Sequence, residues 1–368
     1  MPELAARQRQ SSSVCSQPDD AIPRDCAPSS FNIGRVITGA IDEPLLDELI
    51  TLGRAAAGDG HHAPMVLKRS DTLVVAVGPV VVKAHPADTR EAEIAARLQL
   101  VESEIMSEIW LAPVRCASGS LARVRDRLVT IWPRGTTVCP GDPDAAPWEQ
   151  AASLLARLHG TPIAALGGSA RELPEAGGPR RVARAVARLK AHSDRHDADR
   201  AVVLAALSTL PPWALGGGRP PRPPSAATPP LCESLVHGDW HLGQLVCCPA
   251  APAPDPRGSP DWRLVDIDDL GVGDPTWDLA RPAALYAAGL LEPALWQRLL
   301  ASYRDRGGSA LPASGDPWPA LDVPARALAI QAAALAWLAA RREVRSLTDE
   351  EAALIEACRR IARTRSIA

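Results

Sequence analysis

The chain has 368 residues, 46% apolar and 23% charged, with a formal net charge of −3. That length can bury a core large enough for two lobes, and the composition is that of a soluble globular protein rather than a disordered or fibrous one. A charge so close to balance excludes nucleic acid or an anionic membrane as the main expected partner.

Eight cysteines, at positions 15, 26, 116, 139, 232, 247, 248 and 358, form no CxxC pair and no spaced Cys/His cluster, so neither a zinc site nor a disulfide framework is expected. The first twenty residues are polar, and no later stretch has the ~20 consecutive apolar residues of a membrane span. A cytoplasmic location is expected. Only Lys68, Lys83 and Lys190 are lysines among 40 basic residues, which makes each of them more informative than usual.

Residues 1–35 mix Ser, Pro, Gln and Asp without apolar periodicity and read as a mobile tail. From Pro44 to Leu52 the apolar residues recur at helical spacing. Met65 to His85 holds β-branched runs broken at Ser70-Asp71 and Gly78-Pro79, the punctuation of three antiparallel strands. A helix follows Pro86, with Ile94, Ala95, Leu98 and Val101 on one face and Asp88 or Thr89 available as its cap. Strand-like runs come next at Ile109–Val114 and Leu128–Trp132, and Pro133 and Gly135 then interrupt regular structure.

Those two residues mark a lobe boundary: 1–35 is the tail, 36–132 an N-terminal lobe and 133–368 a C-terminal lobe. The segment WEQAASLLARLHG carries a buried helix stripe, whereas Leu210–Pro230 is Pro/Gly-rich and reads as a surface excursion. HGDWHLGQ, the strand LVCC, a loose tip over 249–261 and the strand WRLVDID then place two motifs at the ends of one β-hairpin. Apolar helical patterns run from Trp277 to the C-terminus, and no internal repeat is evident.

The residue types fit phosphoryl transfer, which needs a cation on the phosphates, hard oxygen ligands for Mg²⁺ and a carboxylate to aim a hydroxyl. Lys83 ends the strand VVVK, where it can reach the phosphates of ATP. Glu91, on the following helix, is expected to hold that ammonium, with Glu93 as the less favoured choice. Asp239 of HGD would orient the acceptor hydroxyl. Gln244 and Asp266 would bind metal, with Asp268 assisting, while His237 and Gly238 shape the loop.

Taken together, VVVKxH, a Glu-bearing helix, LLARLHG, HGDxHxGQ and VDIDDxGxGDPxxDLA resemble the aminoglycoside phosphotransferase and choline-kinase-like superfamily from about Met65 onward. The resemblance implies an α+β, protein-kinase-like two-lobed fold, with a small antiparallel β lobe and a larger, mainly helical lobe. It also implies ATP and Mg²⁺ as cofactors and a small hydroxyl-bearing acceptor, an aminoglycoside or amino sugar. Thr130 to Trp132 would be a hinge whose backbone pairs with adenine, and Asp274 and Asp278 would organise the C-terminal lobe.

Two departures stand out. Gln244 takes a place where the family usually has asparagine, and the turn KRSDT, with Ser70, stands where a glycine-rich phosphate loop would lie. They motivate an alternative reading, a nucleotide-binding regulator with the fold but little turnover. Other marked residues have plainer roles: His85, His159 and His241 read as structural histidines, Cys247 and Cys248 as packing, Asp274 and Asp278 as helix caps, and Asp349–Glu351 as the acidic first turn of a helix.

Overall fold

The computed structural model describes residues 43–58, 62–117, 119–139, 141–166, 172–217, 233–248 and 260–364. The tail over 1–35, most of the Pro/Gly-rich stretch and most of the hairpin tip lie outside the described residues.

Helix α1 (Glu43–Ala57) precedes the strands β1 (Pro64–Arg69), β2 (Leu73–Val77) and β3 (Val80–Ala84). Helix α2 (Glu91–Val101) follows, then β4 (Ala122–Val124), β5 (Arg127–Pro133) and the short β6 (Thr136–Thr137). The first five strands form one antiparallel sheet in the order β1-β2-β3-β5-β4. Alternation along β3 sorts its side chains between two faces. Val80, Val82 and Ala84 pack with Val75, Val77, Val129 and Ile131 beneath Leu45, Leu46 and Leu49 of α1. Lys83 and the following His85 point the opposite way.

The helical part contains α3 (Trp148–Gly160), α4 (Gly178–Ala191) and α5 (Ala198–Leu207), then α6 (Thr276–Ala288), α7 (Pro293–Asp305), α8 (Trp318–Arg342) and α9 (Asp349–Arg363). Between its two halves lie β7 (Ser234–Val236), β8 (Leu245–Cys248), β9 (Asp261–Leu264) and β10 (Gly271–Gly273). Strands β8 and β9 are the expected hairpin, with β6 added at its edge, and β7 pairs with β10. One buried cluster joins Ile94, Leu98, Trp110, Leu128 and Trp132 to the helices of the C-terminal part, so α2 and the cleft face of the sheet share the large core with those helices.

Helix α8 is long and apolar enough to cross a bilayer, the only such helix among the described residues, yet 67% of its apolar window is buried inside the fold. It packs against α4, α5, α6 and α9, the position of a bundle's central helix.

Two local expectations need correction. Residues 109–114 form no strand: Ile109 and Leu111 exchange two backbone hydrogen bonds with Leu264 at the end of β9, a one-residue bridge, and the Val114 N–H reaches the Ile131 carbonyl of β5, so the run touches both sheets without building a ladder. Arg90 rather than Asp88 or Thr89 sits at the start of α2, with no side-chain cap.

Candidate active site

Lys83 lies on the cleft face of β3 and is almost fully buried. Its ammonium bonds Asp266 Oδ1 at 2.7 Å and Asp268 Oδ2 at 2.9 Å. Burial by itself would lower the lysine pKa, but the two carboxylates outweigh it and hold Lys83 above its ordinary value. Burial likewise opposes ionisation of Asp266 and Asp268, and the Lys83 ammonium reverses that, keeping both below the usual carboxylate range.

The expected partner of Lys83 is therefore replaced. Glu91 stands at the exposed start of α2 and pairs with Arg123 at 2.6 Å, while Glu93 pairs with Arg90 and lies 3.8 Å from Arg97. A helix turns 100° per residue, and Glu91 falls on the side of α2 that faces β4 rather than the cleft.

Asp266 has a φ of 71°, a left-handed backbone that Asp tolerates better than most residues. It follows β9 directly, and the reversal brings both Asp266 and Asp268 onto one cation. His85 binds Asp268 Oδ1 through Nδ1 at 2.7 Å and Thr130 Oγ1 through Nε2 at 2.9 Å. The Trp132 indole N–H donates to the same hydroxyl at 2.9 Å. A chain of polar groups thus runs from β5 to the carboxylate, with His85, fully buried and bonded through both ring nitrogens, as its middle member.

The expected hinge is corrected by strand register. His85 N–H donates to the Leu128 carbonyl and Arg134 N–H to the Pro79 carbonyl. In an antiparallel ladder bonded pairs alternate, so the paired residues Lys83–Thr130 and Val81–Trp132 are bonded too. The backbone groups of Thr130 and Trp132 are thereby committed to β3 and not open to an adenine. Ser70, in the β1–β2 turn, exchanges hydrogen bonds with Thr72 of its own turn at 3.3–3.4 Å.

Asp239 lies between β7 and β8, held by two arginines absent from the sequence reading. Arg181 of α4 reaches Oδ2 at 2.7 Å and Arg281 of α6 reaches Oδ1 at 2.6 Å. Burial would raise its pKa, but Arg181 and then Arg281 bring it down to about 2. Arg181 also bonds Asp269 at 2.7 Å and feels the charge of Asp266, which links the two motifs. The signal for Arg181 was present in RRVARAVARLK, where Arg181, Arg184 and Arg188 recur at i, i+3 and i+7 with no acid among them.

The loop around Asp239 is pinned from below. Asp278 is completely buried and accepts from the His237 and Gly238 backbone N–H groups at 2.7 and 2.9 Å, with His159 at 3.0 Å. The His237 ring accepts from the Asp239 N–H at 3.4 Å and donates to the Val265 carbonyl at 3.0 Å, tying the first motif to the second. Gly238 has a φ of 83°, and a Cβ there would lie 2.2 Å from the Asp269 carbonyl oxygen. No other residue fits. Asp274 accepts from the Thr276 N–H and hydroxyl at the start of α6, and His241 caps the turn after it through the Gly243 N–H.

The donor set suits a hard cation. The Gln244 amide lies 3.4 Å from Asp266 Oδ2, and its nitrogen and oxygen exchange places by a simple flip. Adjacent ligands of an octahedral Mg²⁺ sit about 3 Å apart, and Mg²⁺ commonly takes one or two carboxylates and completes its shell with phosphates and water.

No protein-family model and no curated protein matches the chain in sequence. Solved structures do match it in fold. The amicoumacin kinase hAmiN, in complex with AMP-PNP, Ca²⁺ and Ami, superposes with a TM-score of 0.56 at 16% identity over 88% of this chain and 95% of that one. The microcompartment-associated aminopropanol kinase gives 0.52 at 17% identity over 87% and 95%. The GDP complex of wild-type aminoglycoside 2'-phosphotransferase-IIIa gives 0.50 at 13% identity over 88% and 100%. The chain thus has the two-lobed, protein-kinase-like fold that these small-molecule kinases and phosphotransferases share.

Proposed function

We propose that the protein is an ATP-dependent phosphotransferase that moves the γ-phosphate to a hydroxyl of a small polar molecule. The observation that carries the reading is the meeting of Lys83 with Asp266 and Asp268 across the cleft, beside Gln244 and linked through Arg181 to Asp239. Lys83 would hold the nucleotide phosphates, exchanging a carboxylate contact for a phosphate oxygen. Asp266 and Gln244, with Asp268 behind them, would hold Mg²⁺. When bound, the metal would neutralise charge on the phosphates.

Asp239, held down at about 2, is too weak a base to strip a proton early. Its role is to accept a hydrogen bond from the acceptor hydroxyl and aim it, which is all that a loose phosphoryl transition state asks. Arg181 and Arg281 each take one oxygen of Asp239, and each oxygen keeps a lone pair for the hydroxyl.

The same two arginines favour the second reading, a nucleotide-binding regulator whose Asp239 is engaged internally. Mg²⁺-dependent ADP release, measured across a panel of small hydroxyl compounds beside Asp239→Ala, separates the two. The phosphotransferase predicts stimulation by one class and a loss of about 10²-fold or more in the variant, with nucleotide binding kept. ADP release that Asp239→Ala leaves untouched would remove Asp239 from the reaction. An aminoglycoside or amino sugar acceptor rests on the resemblance alone, and the charge around Asp239 is what bears on that choice.

A further inference from the structure

The two ends of the site differ in charge. At the nucleotide end one ammonium, Lys83, meets two carboxylates, Asp266 and Asp268, a surplus of negative charge suited to a metal ion. At the acceptor end three guanidiniums, Arg181, Arg184 and Arg281, meet two carboxylates, Asp239 and Asp269. The surplus there is positive.

Hydrogen bonding shows the same imbalance. A guanidinium carries five N–H donors. Arg281 gives one to Asp239, and Arg181 gives one each to Asp239 and Asp269. The Nε of both is buried with no acceptor among the described residues, a costly arrangement in a protein interior. Both side chains nonetheless keep surface open, 23% for Arg181 and 17% for Arg281. The buried Nε atoms lie out of a ligand's reach, but the remaining terminal N–H groups on the open side of the two guanidiniums, beside Asp239, form a cradle for a planar or tetrahedral oxyanion.

We propose that Arg181 and Arg281 recognise an anionic group on the acceptor, so that the phosphorylated hydroxyl belongs to a molecule with a carboxylate or phosphate close to it. This rests on the phosphotransferase reading and specifies its substrate class. It runs against a cationic amino sugar, whose ammonium would meet like charge at Asp239. Each arginine is a specificity-determining residue: it holds the acceptor's charge and leaves the hydroxyl to Asp239.

The test is calorimetric titration of the full chain saturated with Mg·ADP, using matched probes: glucose, glucosamine, gluconate and glucose 6-phosphate, then glycerol, ethanolamine and glycerate. At least one anionic probe is expected to bind tenfold or more tightly than its neutral counterpart, and the ammonium probes most weakly. Gluconate against glucose 6-phosphate tells carboxylate from phosphate. Arg281→Gln should abolish the anion's advantage while keeping Mg·ADP affinity, and Arg281→Lys should restore part of it.

Ammonium probes binding as tightly as the anions, or no anion surpassing its neutral counterpart, overturns the proposal. So does an Arg281→Gln variant that slows turnover equally for every acceptor with acceptor affinity unmoved, because the arginines would then serve the transferring phosphoryl group. Failure to bind Mg·ADP at all is a different result and counts against the phosphotransferase reading itself.

Discussion

Asp278 shows how one buried side chain can set a site that it never enters. Its carboxylate satisfies two backbone N–H groups of the HGD loop and one ring nitrogen of His159, whose other nitrogen meets the Tyr303 hydroxyl at 2.8 Å. Asp278→Ala strands those donors in a dry interior, at a cost of at least about 3 kcal/mol. Urea denaturation should show the midpoint falling accordingly, and an unchanged midpoint would refute the assignment.

The pH dependence belongs to the same scale. Asp239 is held at about 2 against an ordinary 3.8, and Asp266 and Asp268 also lie below that value. Groups depressed in the folded state bind fewer protons there than when unfolded, so they stabilise above about pH 4 and lose that contribution as the pH falls towards 2. Asp239 alone accounts for on the order of 2 kcal/mol. The thermal midpoint should therefore drop below pH 4, and a midpoint that rises on acidification would contradict the ion pairing. Lys83, shifted the other way, contributes throughout this acid range.

At the scale of elements, secondary structure is written locally wherever a period and its punctuation agree. Helix α9 is the clearest instance. Thr348 accepts from the Glu351 N–H while the Glu351 carboxylate accepts from the Thr348 N–H, so the acidic run Asp349–Glu351 is the first turn that its sequence suggests. Thr348→Ala should cost about 1 kcal/mol, measurable as a lower urea midpoint with activity unchanged. The strands β1 to β3 were equally legible, because Ser70-Asp71 and Gly78-Pro79 break β-branched runs of strand length. Residues 109–114 (IWLAPV) are as apolar but include Pro113, which has no N–H to give, and they bond only to Leu264 and Ile131 rather than along a ladder.

Helix α4 illustrates the opposite limit: its arginines look like a solvated face until the fold sets them opposite Asp239, Asp269 and, through Arg188, Asp71 of the β1–β2 turn.

For the molecule as a whole, the cleft is where the sheet's second face meets the hairpin β8–β9, and both rest on the same buried cluster. A ligand that bridges them should stabilise the folded state by mass action. Mg·ADP at a hundred times its dissociation constant is expected to add about 2.7 kcal/mol, read as a rise in the thermal midpoint. Mg²⁺ alone should add much less, since the protein offers few of its ligands. Lys83→Met should abolish the nucleotide's effect. An equal rise in that variant would place the phosphates elsewhere.

The sequence by itself determined most of the strands and helices, the hairpin between the two motifs and the candidacy of Lys83, Asp239, Gln244, Asp266 and Asp268 for the proposed site. All of these follow from local period, from turn chemistry or from motif spacing. Only the tertiary structure decided who pairs with whom. Lys83 meets Asp266, 183 positions away in the chain, and Asp268 instead of the Glu91 nearby, because a left-handed turn at Asp266 aims two carboxylates at it while Glu91 faces Arg123. The hinge backbone was committed by strand register, and the guanidiniums at Asp239 came from two separate helices. Such pairings depend on distances between elements far apart in the chain, and no local pattern records them.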